Sequence, residues 1–212
     1  NGGLRMKIVS FIEESFLEYE DHISLVLFSY GCNIKCGYCY NYHHVTNPDM
    51  VMAEDVYSII DNHVTFLTDG LVLLGGEPTI YGTELFEISS YAKRKHNLSV
   101  KLFSNGTRPD IITCGMLNGS FNHVSVDFKS YHPTEHVMIN SDWSSYVSGL
   151  LSLLTFVDRN GLNDRIEVRM TVALGMEESF GFVKRICDRL GIKFHKQTDV
   201  RESYKQLGVA VG

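Results

Sequence analysis

Several features that would fix the class of a protein are missing from this sequence of 212 residues. It has only four prolines, no low-complexity tract and no linker rich in proline, glycine or serine, which favours one folded domain. No apolar run reaches about 18 residues and no signal-peptide pattern is found, so we expect no membrane span. The formal net charge of -6 provides no general attraction to nucleic acid or to an anionic membrane. These absences predict a cytoplasmic protein.

Six apolar, β-branched segments recur along the chain and alternate with segments of helical spacing. The predicted strands are residues 23–29, 71–75, 99–104, 123–129, 166–174 and 192–195. The predicted helices contain Val56, Ile59, Ile60 and Leu67; Leu85, Ile88 and Ala92; Trp143 to Leu154, with Ser141 as cap and Gly161 as end; and Phe182 to Leu190, ended by Gly191. This alternation predicts an α/β fold with a parallel sheet built from βα units.

Distinctive residues follow four consecutive predicted strands. The first strand enters the loop GCNIKCGYCYN (31–41), and the second enters GGEPT (75–79). The third leads into SNG (104–106), and the fourth ends in DFK (127–129). Ligands of parallel βα folds gather at the C-terminal ends of the strands. The sequence therefore predicts one binding site at this edge.

Three of the five cysteines, Cys32, Cys36 and Cys39, stand in a C-x3-C-x2-C spacing. An odd, clustered set argues against a disulfide framework and for a metal or redox site. A closed zinc site would have to recruit a fourth ligand, such as His43 or His44. A [4Fe–4S] cluster on three thiolates would instead leave one iron open to an outside ligand. Both interpretations remain open at this point.

With Tyr38 included, the pattern C-x3-C-x-aromatic-C followed by GGE at the next strand end resembles the radical S-adenosylmethionine (radical SAM) superfamily. The resemblance implies a partial (β/α)6 barrel and a [4Fe–4S] cluster held by Cys32, Cys36 and Cys39. It also implies that SAM chelates the open iron and is cleaved reductively to a 5′-deoxyadenosyl radical. No side chain beyond the cluster ligands is expected to be catalytic.

The resemblance also suggests which residues bind SAM. Gly75 and Gly76 would let the backbone approach the ligand, because they carry no Cβ. Glu77 would accept a hydrogen bond from the methionyl ammonium, directly or through a neighbour. Tyr38 would pack near the adenine. Further polar contacts are expected from Ser104, Asn105 and His195, although His195 is equally well explained as a surface histidine.

Two strands carry charged residues that suit the same ligand. Asp127 and Lys129 share one face of their predicted strand with Ser125 and would meet the ribose hydroxyls and the carboxylate of SAM. Arg169 stands between Val168 and Met170, where a cation is costly unless it meets an anion. We therefore expect Arg169 near the SAM carboxylate.

The stretches 27–41, 103–112 and 123–129 are similar to glycyl-radical enzyme activating enzymes. The similarity extends over roughly residues 6 to 175 and is greatest to the activating protein of the anaerobic ribonucleoside-triphosphate reductase. It implies that reductase as partner and a flavodoxin or ferredoxin as electron donor. The sequence departs from the activase pattern at FLEYEDH (16–22), which has neither glycine nor proline.

The remaining cysteines and two histidines have simpler interpretations. Cys114 and Cys187 are too few to hold a conventional auxiliary cluster, which disfavours the sulfatase-modifying and peptide-maturase branches. We expect both to be buried small apolar residues. His132 and His136 stand in a polar loop and are expected to be solvated.

Two other functions remain open. One is a radical SAM enzyme that acts on a small molecule, similar to 7-carboxy-7-deazaguanine synthase. The other is a non-catalytic iron–sulfur or zinc protein. For the domain organisation we predict an N-terminal extension (1–22), a radical SAM partial barrel (23–196) and a C-terminal tail (197–212). We interpret residues 1–5 as a cloning remnant before a natural start at Met6.

Overall fold

The computed structural model describes residues 5–133, 137–139 and 142–198. Nine strands lie within these residues: β1 (Ile8–Ser15), β2 (Ser24–Ser29), β3 (Ile34–Cys36), β4 (Gly70–Gly75), β5 (Ser99–Ser104), β6 (His123–Asp127), β7 (Val137–Ile139), β8 (Ile166–Val172) and β9 (Lys193–Thr198). The α-helices described are α1 (Tyr42–Thr46), α2 (Val56–His63), α3 (Glu84–His96), α4 (Pro109–Leu117), α5 (Trp143–Arg159) and α6 (Glu177–Leu190). Short 3-10 turns occupy Pro48–Met50, Pro78–Tyr81 and Asn163–Arg165.

Seven of the described strands form a sheet in the order β1-β2-β4-β5-β6-β8-β9, and β3 and β7 form a separate antiparallel pair. The pairs β2–β4, β4–β5 and β8–β9 are parallel, whereas β1 runs antiparallel to β2 at one edge. Strands and helices alternate along most of the chain. This mixed architecture with a mostly parallel sheet confirms the predicted fold class.

The chain divides into two compact units. Among the described residues, the first unit comprises 5–33, 41–104 and 108–124, and the second comprises 34–40, 105–107 and those from 125 to 198. The predicted boundaries at 22 and 196 stay predictions, and most of the predicted tail, residues 199–212, lies outside the described residues.

The first unit has a core of aliphatic side chains from its strands and helices. Leu25, Leu27, Leu71 and Leu73 are fully buried on neighbouring strands. The opposite face of the same strands carries Val26 and Val72, which pack with Tyr19, Phe28, Leu74 and Phe103. Each fully buried aliphatic side chain contributes about 1.5–3 kcal/mol. Apolar residues on both faces explain why β2 and β4 read as continuous apolar runs.

The second unit buries apolar residues from strands and helices alike. Phe128, Leu150, Val168 and Val183 are each at most 1% exposed. Asp142 caps the N-terminus of helix α5, and its carboxylate accepts a hydrogen bond from the Ser145 N–H at 2.9 Å. The predicted cap Ser141 lies outside the described residues. Helix α6 ends at Gly191 in the left-handed conformation, as its position after Leu190 predicts.

Some elements escape prediction from the sequence. The sequence pattern does not predict strand β1, helix α4 or strand β7. β1 carries Glu13 and Glu14 on an edge strand with two register shifts, so it lacks a continuous apolar run. Leu67, assigned to the stripe of α2, lies beyond that helix and is half exposed. Within the described residues no helix combines the length and apolarity that a bilayer crossing requires.

Candidate functional site

In the first unit, the start of the cysteine loop is joined to the GGEPT segment by backbone hydrogen bonds. The Glu77 N–H donates to the Gly31 carbonyl at 2.8 Å, and the Gly76 N–H donates to the Ser29 carbonyl at 3.0 Å. The Tyr81 hydroxyl donates to the Tyr30 carbonyl at 2.8 Å. The ends of β2 and β4 therefore meet.

The two glycines of this segment are needed by the protein's own backbone. A Cβ on Gly76 would overlap the carbonyl oxygen of Gly31, and one on Gly75 would overlap the Ser29 nitrogen. Gly75 also has a φ of 116°, which side-chain-bearing residues rarely adopt. The two glycines thus allow the backbone of this segment to lie close to the end of β2. An approach to SAM stays a prediction.

Glu77 is buried, being 1% exposed, and its Oε1 is held by its own chain. It accepts hydrogen bonds from the Thr79 N–H at 3.1 Å and from the Ser104 hydroxyl at 2.8 Å, and another from the Thr79 hydroxyl. The carboxylate thereby caps the turn that starts at Pro78 and fixes the end of β5. Its expected contact with SAM is not tested by this geometry.

The second unit contains the later part of the cysteine loop. Cys36 ends β3, which pairs with β7 so that Cys36 faces Val137. The Cys39 N–H donates to the Cys36 carbonyl at 3.0 Å, which forms a turn between these two thiols. Cys36 is partly exposed and Cys39 is exposed. The antiparallel pair therefore supports the backbone at one of the predicted cluster ligands.

Burial shifts the acid–base properties of Cys36 and Tyr38. Burial raises the pKa of the Cys36 thiol, and the nearby Lys129 ammonium only partly opposes this effect. Burial also raises the pKa of Tyr38, whose hydroxyl lies beside the Cys36 thiol. The Tyr38 ring is largely covered, at 9% exposed, and Lys129 Nζ lies 6.0 Å from its centre. A metal that binds Cys36 must displace the thiol proton.

Three charged residues of the predicted set meet in this unit. Lys129 Nζ lies 3.1 Å from Asp127 Oδ2, and Arg169 Nε lies 3.7 Å from Asp127 Oδ1. The Phe128 N–H donates to the Arg169 carbonyl at 2.8 Å, which aligns the two strand segments. Burial lowers the pKa of Lys129, but the Asp127 carboxylate and the neighbouring acidic groups of Tyr38 and Cys36 raise it well above the ordinary value overall. Lys129 therefore remains a cation.

A sequence profile for the radical SAM superfamily matches residues 26–178, well over half of the chain. The chain belongs to the radical SAM superfamily. Its match includes the cysteine loop, the GGEPT segment and the charged residues described above, so the family predicted from the sequence is confirmed. Members of this superfamily use a [4Fe–4S] cluster and SAM, which confirms the predicted cofactors.

This radical SAM chain is similar to proteins that are named for different functions. It is 28% identical to a Methanocaldococcus jannaschii protein named "Putative glycyl-radical enzyme activating enzyme", over 96% of this chain and 86% of that protein. A second protein of the same organism and name is 26% identical over 78% of this chain and 64% of its own length. A cysteine-type anaerobic sulfatase-maturating enzyme of Clostridium perfringens is 35% identical, but over only 39% of this chain and 25% of that enzyme.

The residues of the radical SAM chain offer partners for a polar cofactor. Ser125 Oγ and Asp127 Oδ1 are buried atoms that make no hydrogen bond within the described residues. Buried polar atoms of this kind are costly unless a ligand or water pairs with them. No preformed group of three or more metal-ligating side chains occurs in the part of the chain that the structure describes. The assignment of the three cysteines to the cluster therefore depends on their spacing and on the family.

The other predicted site residues have different surroundings. Asn105 Oδ1 accepts hydrogen bonds from the Thr107 N–H at 3.0 Å and the Thr107 hydroxyl at 2.6 Å, so this oxygen closes a local turn. His195 Nε2 lies 3.1 Å from a carboxylate oxygen of the buried Glu167. The sequence analysis missed Glu167, because the sequence alone does not show which residue lies beside an acidic side chain in a strand. Both SAM contacts stay predictions.

The expectations for the isolated cysteines and histidines are partly wrong. Cys187 is buried as predicted, but Cys114 is exposed on α4, because its position in that helix faces away from Ile111, Ile112 and Gly115. His132 is exposed, which agrees with a solvated side chain, although its Nε2 lies 3.5 Å from Glu178. His136 lies outside the described residues.

Proposed function

We propose that this radical SAM chain activates a glycyl-radical enzyme. When bound, the cluster and SAM supply a radical that removes a hydrogen atom from a backbone glycine of the partner. The observation that carries the proposal is the similarity over almost the whole chain to a protein named as such an activating enzyme. The sulfatase-maturating relative supports it less, because the match covers a quarter of that enzyme.

The cluster ligands in this proposal are Cys32, Cys36 and Cys39. All three thiolates are needed because a [4Fe–4S] cluster with three protein ligands keeps one iron available to SAM. Lys129 supports the second of them electrostatically, since its charge acts to lower the pKa of the Cys36 thiol. A local cation favours the thiolate form that binds iron.

Asp127, Lys129 and Arg169 are proposed to orient SAM. One carboxylate lies between two cations at this strand end. The cations suit the carboxylate of SAM, and Asp127 Oδ1, which accepts no hydrogen bond within the described residues, suits a ribose hydroxyl. Gly75, Gly76, Glu77, Ser104, Asn105, Tyr38 and His195 complete the proposed set of SAM contacts.

The proposed partner is the anaerobic ribonucleotide reductase, and the proposed electron donor is a flavodoxin or ferredoxin. The cytoplasm is the proposed location of the reaction. The partner is inferred from the resemblance of the cysteine loop and the segments 103–112 and 123–129 to the activating protein of that reductase. An electron donor is required because one electron is consumed for each SAM cleaved.

The experiment combines the reconstituted chain, SAM, dithionite and the reductase from the same source under strictly anaerobic conditions. We expect a glycyl-radical doublet in the electron paramagnetic resonance spectrum of the reductase, with 5′-deoxyadenosine formed in proportion. The matched control is a reductase whose target glycine is replaced by alanine, which should give no doublet. If the rate of SAM cleavage is the same with and without the reductase and no doublet forms, the proposal is wrong. A small-molecule substrate then becomes the better explanation.

A further inference from the structure

Helix α5 places one buried hydroxyl where two strand segments end. Tyr146, only 4% exposed, accepts a hydrogen bond from the Lys129 N–H at 3.0 Å. The same hydroxyl can donate to the Asn105 carbonyl at 3.3 Å or to the Asp127 carbonyl at 3.5 Å. All four residues belong to the second unit. A single side chain thus contacts the backbone at three residues predicted to bind SAM.

The ring of Tyr146 is held in place by two neighbouring aromatic rings. Trp143, one turn earlier on α5, meets it edge-on with ring centres 5.6 Å apart. Phe128 meets it edge-on at 6.2 Å. Burial raises the pKa of Tyr146, so its hydroxyl keeps the proton that it donates. The hydroxyl is therefore held in one place as both donor and acceptor.

The backbone at Lys129 needs this support because it has left the sheet. β6 ends at Asp127, and the Phe128 N–H donates to the Arg169 carbonyl on β8. The next N–H, that of Lys129, is bonded by Tyr146. The Lys129 side chain then turns back to Asp127 at 3.1 Å. A shift of the Lys129 backbone would therefore move the Lys129 ammonium and disturb its pairing with the Asp127 carboxylate.

We propose that Tyr146 is a positioning residue of the SAM site, whose hydroxyl sets the backbone at Lys129 and so the orientation of the Lys129 ammonium and the Asp127 carboxylate. This inference rests on the proposed function, because it takes Asp127 and Lys129 as SAM contacts. Tyr146 touches neither the cluster nor SAM in this scheme. It acts only through the two charged side chains.

The test is Tyr146→Phe, which removes the hydroxyl and keeps the ring. Tyr91→Phe is the matched control, because Tyr91 donates its hydroxyl to Asp61 at 2.7 Å on a helix surface of the first unit. In Tyr146→Phe we expect wild-type iron content and an unchanged spectrum of the reduced cluster without SAM. SAM affinity should fall about tenfold, because without the Tyr146 hydrogen bond the Lys129 backbone no longer holds the two charged side chains in position. Tyr91→Phe should bind SAM like the wild type.

A second readout uses the protein without cluster or SAM. Amide hydrogen exchange at Lys129 should be slow in the wild type and faster in Tyr146→Phe, with α5 unchanged. Unchanged SAM affinity in Tyr146→Phe would overturn the inference, as would loss of cluster together with SAM binding. If the variant does not fold, rapid exchange at Lys129 in the wild type would overturn it and slow exchange would support it. If the wild type binds no SAM, the proposed function fails, while exchange still tests the Tyr146 contact.

Discussion

The Lys129 ammonium lies 3.1 Å from the Asp127 carboxylate, and both side chains are largely covered. The same carboxylate lies 3.7 Å from Arg169, so one anion serves two cations. Paired charges of this kind add little net stability, because desolvation offsets much of their attraction. A functional reason is therefore the better explanation for this cluster. Two cations beside one carboxylate suit the binding of an anionic group of SAM.

Replacement of a cluster ligand is expected to remove the cluster and the reaction together. Cys36→Ala should lose the intact [4Fe–4S] cluster and SAM cleavage, measured by iron and sulfide content and by 5′-deoxyadenosine. Cys114→Ala is the control, because Cys114 is exposed on α4 and lies outside the cysteine loop. Wild-type iron content in Cys36→Ala would contradict the ligand assignment.

Gly76→Ala is expected to disrupt the junction between the cysteine loop and the GGEPT segment. Its Cβ would overlap the Gly31 carbonyl oxygen, a backbone atom that cannot move away easily. We expect a loss of more than about 3 kcal/mol of the free energy of unfolding, or no folded protein. Gly181→Ala in α6 is the control, because only the end of the Arg185 side chain lies near, at 3.3 Å. It should stabilise the protein by about 0.5–1 kcal/mol, since alanine favours a helix. Equal stability of both variants would refute this reading of Gly76.

Asp55→Ala is expected to weaken helix α2 in a pH-dependent way. The carboxylate caps the helix by accepting from the Tyr57 and Ser58 N–H groups, and hydrogen bonds from Ser58 hold the pKa of Asp55 below its usual range. The cost should be about 1 kcal/mol at pH 7. Because the folded pKa is lowered, this stabilisation is complete above the unfolded value of about 3.9 and is lost as the pH falls through the folded pKa. Denaturant unfolding of both proteins between pH 7 and pH 2 measures this difference, and a difference that stays constant over the whole range would contradict the prediction.

The two isolated cysteines should differ in reactivity. Burial raises the pKa of Cys187 to about 12, whereas Cys114 is exposed. In a variant with Cys32, Cys36 and Cys39 each replaced by serine, iodoacetamide at pH 8 should add one group to the native chain. The unfolded chain should take two, as intact mass would show. Two adducts on the native variant would mean that Cys187 is not buried.

The sequence predicted six of the seven strands of the main sheet, and it missed β1, β3 and β7. Residues 24–29 and 70–75 are continuous apolar runs, and both are strands. β1 escaped because acidic residues occupy its exposed positions, and β7 because only its pairing with β3 makes it a strand. The charged residues Asp127 and Lys129 were placed together by strand alternation, and the structure pairs them.

Other site features depend on tertiary structure. Glu77 was expected at a ligand, but its acceptance of hydrogen bonds from Thr79 and Ser104 depends on how β4 and β5 end. The sequence analysis singles out no role for Tyr146 within the predicted helix, and only the packing of α5 brings its hydroxyl to Lys129. The spacing of the cysteines and the GGE motif identified the family, whereas these contacts become visible only in the three-dimensional structure.

The most direct measurement is electron paramagnetic resonance of the anaerobically reconstituted and dithionite-reduced protein, with and without SAM. We predict a [4Fe–4S]+ signal that shifts when SAM is added, because SAM would bind the one iron that Cys32, Cys36 and Cys39 leave open. The control is the Cys36→Ala variant treated in the same way, which should give no such signal. A wild-type protein that forms no cluster, or whose cluster signal ignores SAM, would contradict the proposed radical SAM site.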